Sequence, residues 1–160
     1  MALLLCALLA SACSPLITGL DSRALDNALQ LKGRSMALLD LHQGGKTYAA
    51  LEERINDLIV DLRTAESYAG ALPKNSTSAK QWQLVNKIVI KYWLEQWRRY
   101  NPNEKPPSGG PVFAELQRPN IASAFDALIC IEVNKDYTQP LKSCGAAVRS
   151  AQAILDAIEN

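Results

Sequence analysis

Four cysteines and one histidine are the residues of this 160-residue chain with the most chemistry to offer. A lone His42 removes the zinc, copper and iron sites that draw on several imidazoles. It sits in Leu41-His42-Gln43-Gly44, at the end of a helical pattern, where an imidazolium interacts well with the helix dipole. Capping, not catalysis, is its expected role. Cys130 and Cys144 are expected to form a disulfide. Their helices read as antiparallel neighbours joined by a short link, with each cysteine about one turn from that link. They have no C-x-x-C spacing and no neighbouring histidine to favour a reactive thiolate. No G-x-S-x-G, P-loop, H-E-x-x-H or C-x-x-C-H run occurs, so no catalytic residue, metal or cofactor is expected. Glu52, Glu53, Asp57 and Asp61 fall on the outer face of one helix, where solvated carboxylates do not separate into an acid and a base.

Cys13 closes an uncharged apolar run of twelve residues, Met1 to Ala12. A bilayer span needs about 20 apolar residues, so this run suits an export signal and not a membrane helix. Ala10-Ser11-Ala12-Cys13 resembles a bacterial lipobox, whose small side chains let the processing peptidase close around the backbone. The resemblance implies that residues 1–12 are removed, that Cys13 carries acyl chains and that residues 13–20 form a tether. Two or more chains anchor stably, at about 0.8 kcal/mol per buried CH₂. Bulky Leu5 excludes Cys6 as the processing site. Ser14 stands where an Asp would favour the inner membrane, so the periplasmic side of the outer membrane is expected. Two alternatives stay open: ordinary cleavage after ALLASA, giving a soluble periplasmic product, and a buried apolar amino-terminal helix.

Residues 21–160 must then supply the fold, and their apolar positions recur with a helical period. The first helix begins at Ser22, carries Leu25, Ala28, Leu29, Met36 and Leu39, and stops at Gly44-Gly45. Thr47 caps a second helix with its seam at Leu51, Ile55, Leu58, Leu62, Ala65 and Ala69. Ser78-Ala79-Lys80-Gln81 reads as a capping box opening a third, whose inner face holds Trp82, Val85, Val89, Trp93 and Trp97. Residues 101–111 (NPNEKPPSGGP) are expected to be a flexible loop. Pro119-Asn120 starts a fourth helix along Ile121, Ala124, Phe125, Leu128 and Ile131. A fifth begins near Thr138 and Pro140 and follows Leu141, Cys144, Val148, Ala151, Leu155 and Ile158. No stretch alternates with period two. The expected fold class is all-α, an antiparallel bundle of four to five amphipathic helices in a single domain.

A net charge of +1 provides no global field to recruit nucleic acid. Locally the balance differs, because Lys74 to Lys105 holds seven basic residues against two acids. Lys87, Lys91 and Arg98 share one side of the third helix, and with Arg99 they form the candidate binding surface. The preceding stretch, Lys46 to Glu66, holds five acids against three bases, so pairing between these two helices is the expected use of the charge. The tryptophans are expected in the core.

Pro73-Lys74-Asn75, Ser78, Gln81-Trp82, Trp97, Phe125-Asp126 and Ile129 resemble a group of small bacterial lipoproteins of unassigned function. That resemblance implies export and a helical fold, and no activity. The expectation is a lipid-anchored periplasmic protein that acts by binding, as an accessory or inhibitor in the cell envelope. Its partners would be the membrane, through Cys13, and an envelope protein. The alternative is a small envelope enzyme or ligand carrier with a pocket between helices, for which Asp126 and Glu132 are the candidate acids.

Overall fold

The computed structural model describes residues 21–100, 110–135 and 140–159. The apolar run, Cys13, the tether, Thr138 and residues 101–109 lie outside the described residues. Asp21 opens the first helix, α1 (Ser22–Gln43), by accepting a hydrogen bond from the Ala24 amide at 3.1 Å. That bond satisfies one of the amides that a helix start leaves free. The buried stripe of α1 is Ala24, Ala28, Leu31, Ser35, Leu38 and His42, at alternating steps of four and three, with Leu39 beside it. This corrects the expected face, because Leu29 is 49% exposed. Two polar side chains, Ser35 and His42, complete the inward stripe. Gly45 ends the element with φ +81°, a left-handed turn that glycine adopts without a Cβ penalty.

Thr47 accepts a hydrogen bond from the Ala50 amide at 3.2 Å and so caps a 3₁₀ turn, Ala49–Leu51, that leads into α2 (Glu52–Ala71). Ile55, Leu58, Leu62, Ala65 and Ala69 are all buried, as their spacing predicts. The third rod runs unbroken through α3 (Ser76–Asn86), a π segment (Lys87–Leu94) and α4 (Glu95–Tyr100). Its start differs from the expected capping box. Ser78 and Gln81 are buried inside the first turns, and the Gln81 amide donates to the Ala124 carbonyl at 3.2 Å. The entry is held instead by Asn75, whose side chain donates to the Ala69 carbonyl at 2.8 Å.

The fourth rod, α5 (Gly110–Val133), begins ahead of the expected Pro119 start and takes in Gly110 and Pro111 of the expected loop. An interior proline removes one helix hydrogen bond and costs about 3 kcal/mol. Pro119 stands on the exposed side, while Ala114 and Gln117 are buried before it and Arg118 pairs with Asp40 of α1. Those contacts hold the stretch around the proline against the bundle. Ile121, Ala124, Phe125, Leu128 and Ile131 continue the inner face as expected. The last element, α6 (Pro140–Glu159), buries Cys144, Ala151 and Leu155.

Cross-links at matching heights give the rods alternating directions. Tyr68 near the end of α2 donates to Asp21 at the start of α1 (2.7 Å), and the Asn86 amide reaches the Leu62 carbonyl (3.3 Å). Cys130 of α5 is bonded to Cys144 of α6, with Cα atoms 5.8 Å apart; closing so short a loop is worth about 3 kcal/mol. The result is an all-α bundle of five packed rods with no strand among the described residues.

Gly33 lies in mid-α1 on the exposed side, and a Cβ built there meets nothing within 4 Å. Gly33→Ala is therefore predicted to stabilise the bundle by about 0.5–1 kcal/mol. A urea titration checks this: the midpoint should rise at unchanged slope, and a fall would mean that α1 needs the glycine.

Candidate functional site

The residues with chemical potential gather in three places, of which the first is internal. His42 projects from the last turn of α1 into the core and is 1% exposed. Its ring stacks on Trp97 with centroids 3.9 Å apart, and its Nδ1 accepts a hydrogen bond from Trp93 Nε1 at 3.1 Å. Tyr48 meets the edge of Trp97, and Phe113 of α5 closes the group at 6.1 Å from the imidazole. Burial pushes the His42 pKa down to about 4, because charging an imidazole in an apolar site costs its hydration. The ring is neutral, and the expected imidazolium cap is corrected on that ground.

The π segment sets this geometry. Val85, Val89, Trp93 and Trp97 recur every four residues and are all buried. In an α-helix each step of four overshoots a full turn by about 40°, so such a row drifts off one face. The wider i→i+5 turn absorbs the overshoot and keeps both tryptophans over His42. The repeated spacing of four is the sequence signal that marks the segment.

The second place is the outer side of the same rod. Lys87 pairs with Glu159 at the end of α6, and Tyr92 donates to the same carboxylate at 2.9 Å. Lys87 and Tyr92 together hold Glu159 below the usual carboxylate range, and Glu159 raises Lys87. Lys91 lies 5.4 Å over the Tyr92 ring, Arg99 is 3.8 Å from Glu95, and Arg98 is exposed. The countercharge thus comes from α6 and from the rod itself, which corrects the expected pairing with α2. Asp61 of α2 pairs with Arg34 of α1, and Glu66 accepts from Asn86. Lys91 and Arg98 remain the outward cations of the candidate surface.

The third place is the end of α5. Glu132 and Lys135 are 0% and 4% exposed and lie 2.5 Å apart. The Asn134 amide donates to the Cys130 carbonyl at 2.8 Å beside the disulfide. Asp126, the other candidate acid, is instead a surface residue, 57% exposed and paired with Lys32 at 2.5 Å. A furrow between α1 and α2 holds two adjoining recesses of about 250 and 270 Å³. Leu38 and Leu58 line the first and Leu31 and Ala65 the second, with Arg54 and Arg23 on their respective walls and Arg34 common to both. Neither Asp126 nor Glu132 lines either of these recesses. Glu52, Glu53, Asp57 and Asp61 are exposed as expected.

Among the described residues no three His, Cys, Asp or Glu side chains group as a metal site, and no helix is long and apolar enough to cross a membrane. The chain matches no family model, no curated protein and no solved structure.

The buried imidazole fixes a pH dependence. Between pH 6.5 and about 4 the unfolded chain binds a proton at His42 that the folded chain refuses, so stability falls as the pH falls, by up to about 3 kcal/mol. Urea titrations across that window should show the loss in the wild type and a much flatter profile in His42→Phe. Equal slopes in both would remove the imidazole from the acid response.

Proposed function

We propose that this chain is a lipid-anchored helical protein of the bacterial envelope that acts by binding, as an accessory or inhibitor of an envelope component. The Cys130–Cys144 bridge carries the export half of the reading, because disulfides persist in oxidising compartments and are rare where thiols are kept reduced. The lipobox-like Cys13 supports the anchor, and Ser14, standing where an Asp would favour the inner membrane, supports the periplasmic side of the outer membrane. The binding half is supported by how the reactive side chains are used. His42 is enclosed by aromatics, the tryptophans are core, and Glu132 is matched with Lys135. The exposed Lys91 and Arg98 then offer an acidic envelope protein its electrostatic contact, which steers association more than it adds affinity.

A ligand carrier is the second reading, favoured by the α1–α2 furrow with Arg34 at its centre. An enzymatic version has less support, since neither candidate acid opens into that furrow.

Metabolic labelling with palmitate tests the anchor. Label should enter the wild-type protein, be absent from Cys13→Ala, and follow the outer membrane on fractionation. An unlabelled wild type would contradict the anchor and leave a soluble periplasmic protein, and label kept by Cys13→Ala would contradict acylation at Cys13.

A further inference from the structure

We propose that the Cys130–Cys144 bond is a reducible clasp, opened by a dithiol that attacks Cys130, and that its opening frees α6 while the other helices stay folded. The two sulfurs are unequally placed. Cys130 is partly exposed whereas Cys144 is 1% exposed, so an external thiolate reaches only the first, and access governs which sulfur is attacked. The Asn134 amide nitrogen lies 3.7 Å from Cys130 Sγ and 3.6 Å from Cys144 Sγ. A donor placed against both atoms of the breaking bond stabilises the thiolate that departs.

Apart from the bridge, α6 is held by shallow packing, with Ala147, Val148 and Ile154 only partly buried against the core. Of its described side chains only Cys144, Ala151 and Leu155 are buried, and the first of these is the bridge itself. In α2, a helix of the same length, Ile55, Leu58, Leu62, Ala65 and Ala69 all go inside. The far end of α6 is tied by Glu159 to Lys87 and Tyr92, pairs on the surface that contribute little on their own.

The exchange balances as follows. One thiolate of the dithiol attacks Cys130 Sγ, forming a mixed disulfide, and the Cys130–Cys144 bond breaks with its electron pair leaving on Cys144. The second thiolate then attacks the dithiol's own sulfur in the mixed disulfide, releases Cys130 as a thiolate and closes the oxidised dithiol. Both protein thiolates take protons from water. The protein gains two electrons and two protons, and the dithiol loses them. The chemistry requires a dithiol reductant or a dithiol protein as its partner class, and it stands whether or not Cys13 is acylated.

The test uses the full chain without denaturant. Glutathione is the single-thiol probe, with N-ethylmaleimide to trap the thiol it liberates, and dithiothreitol is the reductant. The glutathione adduct should map to Cys130 and the maleimide to Cys144. After reduction, amide hydrogen exchange in Pro140–Glu159 should quicken by about a hundredfold, the bias that a loop of this size supplies, with α1 and α2 unchanged. Asn134→Ala should slow reduction roughly fivefold to tenfold, the worth of one hydrogen bond, with the circular dichroism of the oxidised protein intact. Resistance to dithiothreitol until the protein is denatured would overturn the clasp. So would adducts on Cys144, or exchange in α6 that stays unchanged or quickens together with every other helix.

Discussion

The interaction on which the packing around the end of α1 depends is the hydrogen bond from Trp93 Nε1 to an uncharged His42. It works only if Nδ1 keeps its lone pair, and only if the ring stays enclosed by Trp97, Tyr48 and Phe113. The four partners come from the third rod, the α1–α2 link and α5, so one imidazole ties together elements distant in sequence. A buried polar atom left unmatched costs on the order of 1–3 kcal/mol. The indole N–H and the imidazole nitrogen avoid that cost by matching each other, which gives this core one register that an all-leucine seam would lack. The π segment is the backbone's share of the arrangement, since it stops the row of four-residue steps from drifting away from the histidine.

Charge is used in the same economical way. Arg34 with Asp61, Lys32 with Asp126, Arg118 with Asp40 and Lys87 with Glu159 each join different helices. Such exposed pairs stabilise little individually, but they select which rod faces which, and they leave the surface close to neutral. Glu132 and Lys135 are different, because taking two charges out of water costs more than a surface pair returns. Their enclosure sets the end of α5 apart from the surface pairs.

Much of this fold was legible in the residues. The seam of α2, the Cys144, Ala151 and Leu155 positions of α6 and the inner face of α5 from Ile121 onward follow from period and spacing, and the pairing of Cys130 with Cys144 from spacing together with the reading of an exported chain. What was hidden involved polar residues in apolar roles. Ser35 and His42 complete the stripe of α1, but a count of apolar residues skips both and turns the face toward Leu29. Ser78 and Gln81 look like a cap and are core. Pro119 looks like a helix start and is tolerated in mid-helix because it stands on the solvent side with buried residues before it. The basic stretch was visible as a charge imbalance, but its counterions were not, since nothing local in the chain points from Lys87 to Glu159. Of the two candidate acids Glu132 is buried and Asp126 is not, and composition cannot tell the residue out on the surface from the one enclosed a turn and a half later.

The central claim is that the one histidine is a neutral structural acceptor and not a capping cation. Nitrogen-15 NMR of the labelled protein tests it most directly, by following both ring nitrogens of His42 through a pH titration. The account predicts a single tautomer with the proton on Nε2, an unprotonated Nδ1 coupled to the Trp93 indole, and titration only near pH 4. Titration near the ordinary histidine value of about 6.5, with the Trp93 indole signal unmoved, would contradict it.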